Sequence, residues 1–194
     1  KMPLYLPVKN HGEVNYGKYE STSEVMLDTL KTVKSPKNYF FPQTEDMMKF
    51  RVEGKKIEII DIREAQAPFV LFGVRACDCR SFDILDSVFL AEPADTYYQN
   101  RRSNATVVTM ACSEPEETCF CSVFGIDPAQ PEGDARCWMD EKNLYIEAVT
   151  EKGEAFVASV KDQLAEGGEE EVAAQQKATR AVVEKLPLHK LSLE

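Results

Sequence analysis

The chain has 194 residues, of which 43% are hydrophobic and 29% charged, a composition that suits one folded domain with a sizeable core. Its 33 acidic residues outnumber its 23 basic ones, and the net charge of −10 argues against a nucleic acid or an anionic membrane as partner. The chain has no run of about 18 apolar residues, the length that a membrane-spanning helix needs. The first residues lack the apolar region of a signal peptide, so we expect a cytoplasmic protein with protein partners.

The first third of the chain holds one helical pattern and two strand patterns. Residues 21–33 begin with Ser and Thr, carry a glutamate suited to a capping box and predict an amphipathic helix. Residues 35–50 have a proline at each end of an aromatic run, which predicts an extended piece followed by a turn or short helix. Strands are predicted at 57–61 and 69–74, and the second is apolar enough to be buried on both faces.

The middle of the chain has the pattern of a βαβ unit. After the strand at 69–74, apolar residues recur at helical spacing from Phe82 to Phe89, and residues 94–102 predict a second helix. A strand at 105–110 follows. Strands joined by a helical crossover run parallel, so their carboxyl ends meet at one edge of the sheet, where open α/β sheets hold ligands.

The last third of the chain predicts a loop, a strand and two helices. Prolines and a glycine interrupt regular structure across 112–128, and a strand is predicted at 143–150. Helical patterns follow at 153–166 and 169–186. We therefore predict a single α/β domain over residues 1–194, with a mixed, largely parallel sheet, a βαβ unit and C-terminal helices.

Most of the six cysteines fall at the predicted carboxyl edge of the sheet. Cys77 and Cys79 follow the first strand of the βαβ unit, and Cys112 follows the second, with Cys119 and Cys121 in the next loop. Without an export signal, cysteines are thiols or ligands rather than disulfides, although three bridges in a secreted protein are the alternative. Thiolates suit zinc or iron–sulfur clusters, and because both histidines lie elsewhere the pattern favours an all-sulfur site.

The spacing of the cysteines bears on the choice between zinc and a cluster. Structural zinc sites usually draw ligands from C-x2-C pairs, and this chain has none. C-x-C pairs and well separated single cysteines better suit a 4Fe-4S cluster, which takes thiolates from several directions. The ferredoxin run C-x2-C-x2-C-x3-C-P is absent, so such a cluster would occupy a non-ferredoxin site.

Neighbouring residues add two expectations. Positive groups near a cluster raise its reduction potential, and four arginines lie near the cysteines in the predicted fold. They are Arg75, Arg80, Arg101 and Arg102, and the alternative for them is an ordinary solvated face. Cys137 stands alone in the sequence and is interpreted as a small buried residue of the core.

Four stretches of the chain occur in the same order in a known family. They are PKNYFFPQTEDMMKF at 36–50, GVRACDCRSFDILDSVFL at 73–90, DTYYQNRR at 95–102 and CSEPEETCFCSVFG at 112–125. These stretches resemble the N-terminal domain of 4Fe-4S electron-transfer subunits with a dicluster domain. The family includes the beta subunit of cytoplasmic nickel–iron hydrogenases, or sulfhydrogenases, and the iron–sulfur subunit of anaerobic sulfite reductase.

The resemblance implies a ligand set and a longer protein. It implies a 4Fe-4S cluster bound by Cys77, Cys112, Cys119 and Cys121. Position 79 is commonly apolar in the family, so Cys79 is either a spare thiol or an additional ligand. Family members continue into a ferredoxin-like module with two C-x2-C-x2-C-x3-C-P runs. Because these runs are missing here, we expect the chain to be the N-terminal part of a longer protein, cut before that module, and the alternative is a natural short version of the family.

Three functions compete on this reading. The first is an electron-transfer domain with a 4Fe-4S cluster in a multisubunit oxidoreductase, with no catalytic site or small-molecule substrate of its own. The second is a zinc-stabilised or metal-free docking domain that assembles such a complex. The third is a thiol redox protein using Cys77/Cys79 or Cys119/Cys121, although redox pairs usually have the form C-x-x-C. No dinucleotide site is expected, because the turn after residue 74 lacks G-x-G-x-x-G.

Overall fold

A computed structural model of the protein describes residues 2–63 and 67–191. The strands are β1 (Leu4–Asn10), β2 (Glu13–Lys18), β3 (Lys49–Glu53), β4 (Lys56–Ile60), β5 (Phe69–Val74), β6 (Ala105–Met110), β7 (Ala135–Met139) and β8 (Leu144–Ala148). The α-helices are α1 (Ala76–Phe89), α2 (Thr96–Asn104), α3 (Glu151–Ser159) and α4 (Glu169–Val183). Short 3₁₀ turns lie at Pro36–Tyr39, Cys121–Phe124 and Lys161–Gln163.

Six strands form one mixed sheet in the order β2-β1-β5-β6-β7-β8. The inner pairs β1/β5, β5/β6 and β6/β7 are parallel, and the outer pairs β1/β2 and β7/β8 are antiparallel. β5, α1, α2 and β6 form the βαβ unit, and α3 and α4 follow the last strand. The predicted α/β fold, with its largely parallel sheet and C-terminal helices, is confirmed.

The central strands are buried because the chain packs on both of their faces. Alternate residues of a strand point to opposite faces, and those of β5 enter two separate cores. Phe69 and Leu71 pack with Phe82 of α1 in one core. Val70 and Phe72 belong to the other, against which Phe156 of α3 packs. This two-sided burial explains why the strand at 69–74 is apolar throughout.

A bend at the end of β5 leads the chain into α1. The register between β5 and β6 shifts between Phe72 and Val74, and Gly73 adopts a positive φ of 83°. A β-carbon at Gly73 would lie 3.2 Å from the Pro7 Cδ atom, so both conformation and space favour glycine here. The Tyr16 hydroxyl donates a hydrogen bond of 2.8 Å to the Gly73 carbonyl and fixes the bend.

The structure differs from the sequence prediction most in the first 35 residues. The helix predicted at 21–33 is wrong, because this segment runs as turns beside β1, with Val25 bridged to Val8. The Met26 amide donates to the Pro7 carbonyl at 2.9 Å, a contact with β1 that an α-helix does not make. β1, β2, β3 and β7 were not predicted, and β7 contains Cys137.

Other predicted elements are confirmed with shifted ends. The predicted strand at 57–61 is β4, which pairs with β3 in a separate two-stranded hairpin. The helix predicted at 153–166 ends earlier, as α3, and continues into a 3₁₀ turn. Among the residues that the structure describes, no helix is long and apolar enough to cross a membrane.

Replacement of Phe82 by alanine tests the packing of α1 on the sheet. Phe82 is fully buried, and its ring lies edge-on to that of Phe40 with centroids 4.7 Å apart. We expect Phe82→Ala to lower the free energy of unfolding by about 3–5 kcal/mol, because it leaves a cavity that the core cannot fill. Urea denaturation measures this loss. Ile84→Ala, on the exposed side of the same helix, should change it by less than about 0.5 kcal/mol.

Candidate metal centre

Three segments deliver cysteines to the carboxyl edge of the sheet. Cys77 lies in the first turn of α1, directly after β5. Cys112 follows the end of β6, and Cys119 and Cys121 lie in the loop between β6 and β7. Because β5 and β6 are parallel neighbours, their carboxyl ends lie side by side, and the segments that follow them meet.

The side chains of these cysteines interact with one another. The thiols of Cys77 and Cys121 influence each other's titration, so the pKa of Cys77 is lowered and that of Cys121 is raised. Burial also raises the pKa of Cys121, and so does negative charge on Cys77, Cys112 or Cys119. Charge on Cys77, Cys112 and Cys119 therefore acts on Cys121, and a site shared by these four cysteines stays a prediction of the family resemblance.

Cys112 is held from two sides by backbone hydrogen bonds. Its amide donates to the Pro128 carbonyl at 2.9 Å, and its carbonyl accepts from the Thr179 hydroxyl of α4 at 2.9 Å. Burial raises the pKa of the Cys112 thiol to about 11, although the nearby charge of Arg75 acts in the opposite direction. The free thiol is thus kept protonated, as expected for a buried ligand that loses its proton on binding a metal.

The loop that carries Cys119 and Cys121 is closed by a glycine. Gly125 ends the 3₁₀ turn at Cys121–Phe124 with a positive φ of 68°, a conformation that favours glycine. The next amide, that of Ile126, then donates to the Cys121 carbonyl at 3.1 Å. These contacts fix the backbone around Cys121.

The C-terminal part of the chain holds the same loop from outside. Arg180 of α4 forms an ion pair with Asp127 at 2.7 Å. His189 Nδ1 lies 3.1 Å from the Ser122 hydroxyl. Together with the hydrogen bond from Thr179, these contacts make the C-terminal segment part of the scaffold around the cysteines.

Arg75 places a buried positive charge beside the thiols. Its guanidinium donates to the Ala111 carbonyl at 2.7 Å, the Leu27 carbonyl at 2.8 Å and the Thr29 carbonyl at 2.7 Å, and its charge acts to lower the pKa of the Cys112 thiol. Within the described part of the chain it forms no ion pair with a carboxylate. The alternative of a solvated face is therefore wrong for Arg75, which is 7% exposed.

The other predicted arginines do not surround the cysteines. Arg101 and Arg102 end α2, which precedes the amino end of β6. A six-residue strand separates them from Cys112, a distance of roughly 20 Å. Arg101 forms an ion pair with Glu45, and Arg102 forms one with Asp86. Both guanidinium groups are thus paired with carboxylates of the fold. They lie far from Cys112, although the charge of Arg102 reaches Cys79 and acts to lower its pKa. Arg80 is exposed and pairs with Asp83 at 3.2 Å.

The two remaining cysteines lie in the cores. Cys79 packs with Phe82 and its neighbours, and burial raises its pKa to about 12. The charges that most affect it belong to acidic residues and to Arg102, not to another cysteine. Cys137 of β7 is fully buried in the second core, and burial raises its pKa to about 12. The interpretation of Cys137 as a core residue is confirmed.

The donor set suits a cluster that takes one thiolate at each iron. In the parts of the chain that the structure describes, no three His, Cys, Asp or Glu side chains are grouped so as to hold a single metal ion. A 4Fe-4S cluster makes a different demand, because each of its four thiolates binds a separate iron atom. Cys77, Cys112, Cys119 and Cys121 supply that number of soft ligands from several directions.

Fold and site together define an α/β domain with thiols gathered at the carboxyl edge of its sheet. The chain is similar to sulfhydrogenase 2 subunit beta of Pyrococcus furiosus, with 32% identity over 158 residues, or 81% of this chain. It spans 43% of the length of that relative. No model of a protein family and no solved structure matches the chain. The similarity supports the resemblance to hydrogenase beta subunits and leaves that to anaerobic sulfite reductase a prediction.

Sequence reasoning did not find the residues that support the cysteines. Thr179 lies in a helix of mixed polar and small apolar residues, and its position there gives no sign that it holds Cys112 across 67 residues of chain. Gly125 could have been found, because a glycine that follows a short run after C-F-C is typical of a turn that ends in the left-handed conformation.

Replacement of Thr179 by valine tests the support of Cys112 by α4. Valine keeps the shape of the side chain but leaves the buried Cys112 carbonyl without this donor. We expect a loss of about 1–3 kcal/mol in the free energy of unfolding, measured by urea denaturation. Thr22→Val, at an exposed threonine, is the control and should change it by less than about 0.5 kcal/mol. Equal effects of the two substitutions would contradict the role of Thr179.

Proposed function

We propose that the chain is an electron-transfer domain of a multisubunit hydrogenase of the sulfhydrogenase type. In this proposal one 4Fe-4S cluster is bound by Cys77, Cys112, Cys119 and Cys121. The cluster passes single electrons between neighbouring redox centres of the complex, and the partners are other subunits. The domain has no substrate of its own.

The observation that supports the proposal is the electrostatic influence of three of these thiols on the fourth. They come from separate segments, yet Cys121 interacts with each of the other three. The two cysteines outside the group, Cys79 and Cys137, lie in the apolar cores. This division supports a four-ligand site, and in this proposal Cys79 packs in the core and is not a ligand.

The similarity to sulfhydrogenase 2 subunit beta supports the kind of complex. The relative is named as one subunit of a sulfhydrogenase, and the similarity covers 81% of this chain. It favours a hydrogenase over a sulfite reductase as the complex in which the domain works. The acceptor or donor of the electrons belongs to other parts of that complex.

The residues of the chain have three roles in this function. The four cysteines hold the cluster, which supplies one-electron transfer when bound. Arg75 offsets negative charge at the site, because its guanidinium is buried and, among the residues that the structure describes, donates its hydrogen bonds to carbonyl oxygens and not to a carboxylate. Thr179, Gly125 and Arg180 keep the ligand-bearing segments in place.

Single cysteine substitutions test the ligand set. We expect Cys77→Ala, Cys112→Ala, Cys119→Ala and Cys121→Ala each to abolish or strongly reduce bound iron and sulfide in protein prepared without oxygen. Each substitution removes one of four thiolates. Iron and acid-labile sulfide per chain, with the absorption spectrum of the cluster, measure the result.

The matched controls are the two core cysteines. Cys137→Ala and Cys79→Ala should keep the full iron and sulfide content, with at most a loss of stability from the smaller side chain. Full cluster content in Cys112→Ala would contradict the assignment. Loss of the cluster in Cys79→Ala, with the fold intact, would make Cys79 a ligand.

Substitution of Arg75 tests its electrostatic role. Reduction adds a negative charge to a cluster, so loss of a nearby buried positive charge makes reduction harder. We expect Arg75→Gln to lower the reduction potential by on the order of 50–100 mV, measured by a redox titration followed by electron paramagnetic resonance. Arg75→Lys keeps the charge and should shift the potential less.

The potential separates this role from a purely structural one. Both substitutions break hydrogen bonds to the carbonyls of Leu27, Thr29 and Ala111, so both lower stability. Only Arg75→Gln removes the charge. Equal potentials for Arg75→Gln, Arg75→Lys and the wild type, at equal cluster content, would show that Arg75 acts through packing alone.

A further inference from the structure

Residues 27–35 form a segment that is anchored at both ends to the start of α1. Arg75 donates to two carbonyl groups near the beginning of this segment, at 2.8 Å and 2.7 Å. The Ser35 hydroxyl at its end donates to the Asp78 carboxylate at 2.7 Å. Arg75 directly precedes α1 and Asp78 lies in its first turn, so the two residues flank Cys77. The 27–35 segment is therefore fixed to the turn of chain that carries Cys77.

Lys31 lies in the middle of this segment and contacts the loop between β6 and β7. Its ammonium group donates hydrogen bonds to the Glu116 carboxylate and to the Thr118 hydroxyl, the latter at 3.4 Å. The Glu116 carbonyl in turn accepts a hydrogen bond from the Cys119 amide at 2.9 Å. Lys31 thus holds the residue that fixes the backbone at Cys119, and it also holds the residue directly before Cys119.

The charge of Lys31 acts on the thiols as well as on the carboxylate. The hydrogen bond to Glu116 raises the pKa of Lys31, and negative charge on Cys119 or Cys77 raises it further. Lys31 therefore stays protonated, and its positive charge favours thiolates at both cysteines. Because thiols must lose their protons to bind a metal, this charge favours the form that binds.

We propose that Lys31 is a positioning residue, which joins the loop of Cys119 to the segment anchored beside Cys77 and so holds Cys119 in place for the cluster. The inference rests on the proposed function for the role of Cys119 as a ligand. The contacts from the C-terminal part of the chain act on Cys112 and on residues after Cys121. Lys31 supplies a corresponding contact for Cys119 from the N-terminal part of the chain.

The alternative for Lys31 is an ordinary exposed ion pair. The side chains of Lys31 and Glu116 are 57% and 52% exposed, and such pairs contribute little to the stability of a whole protein. The two roles differ in what a substitution changes. Loss of an ordinary pair leaves the backbone at Cys119 and the binding of iron as they are. Loss of a positioning residue changes both, while the melting temperature stays at the wild-type value.

The ion pair between Lys9 and Glu24 provides a matched control. It also joins a lysine to a glutamate at the surface, with their charged groups 3.3 Å apart and their side chains 42% and 61% exposed. Lys9 belongs to β1, and Glu24 lies in the turns beside that strand. Lys9→Met therefore removes the same kind of interaction at a place away from the cysteine loop.

Hydrogen–deuterium exchange and iron release test the proposal on wild-type and variant chains purified without oxygen. We expect Lys31→Met to raise both amide exchange in residues 116–121 and the rate of iron loss to bathophenanthroline disulfonate. The expected increase is about two- to fivefold, the range that loss of an exposed ion pair allows. Lys31→Glu places a second carboxylate beside Glu116 and should raise both rates further. Lys9→Met should leave both rates and the melting temperature unchanged.

Two further measurements show that the effect comes from the charge. High salt should raise amide exchange in the wild type and not in Lys31→Met, because salt screens an exposed ion pair. Addition of Glu116→Lys to Lys31→Glu restores a pair of opposite charges, and both rates should return to within about twofold of the wild-type values.

The outcomes separate this proposal from the proposed function. Wild-type rates in both Lys31→Met and Lys31→Glu, an equal increase in Lys9→Met, or no rescue by the exchange of charges would each overturn the role of Lys31. A wild-type chain without iron and sulfide would instead contradict the proposed function, and amide exchange in residues 116–121 would still decide whether Lys31 positions Cys119.

Discussion

Cys77 and Cys112 follow two strands that pair in parallel at the centre of the sheet, and this pairing is the constraint on which the site depends. The register sets Phe69 beside Ala105 and Leu71 beside Val107, so the two strands end at the same edge. Every residue of both strands is buried, which fixes their register strongly. The loop with Cys119 and Cys121 then needs only short-range turns to reach the same place.

Electrostatics explains why the site is arranged as it is. Gathering four thiols in one place is unfavourable once they lose their protons, because each thiolate raises the pKa of its neighbours. Burial of the Arg75 guanidinium is also unfavourable, because its positive charge is removed from water and its acceptors are neutral carbonyl groups. Arg75 and the four cysteines offset one another, and a bound cluster with thiolate ligands would complete that balance.

The sequence was informative where local pattern and topology agree. The strands at 69–74 and 105–110 are buried on both faces, so their apolar runs predict them directly. The segment at 21–33 has helical spacing, but its backbone bonds to β1 and to Arg75. The bonds to Arg75 span more than 40 residues of chain, a contact that no local pattern contains. β7 was missed because Arg136 lies in it, stacked on Trp138 and paired with Glu147 of β8. The four cysteines could be grouped from topology and family resemblance, whereas the role of Thr179 depends on how α4 docks.

The most direct test of the account is the metal content of the wild-type chain. Iron, acid-labile sulfide and zinc per chain would be measured on protein purified without oxygen, with electron paramagnetic resonance after reduction by dithionite. The account predicts about four irons and four sulfides per chain, no zinc, and the signal of a reduced cluster. One zinc per chain without sulfide would contradict it and make the four cysteines a structural clamp.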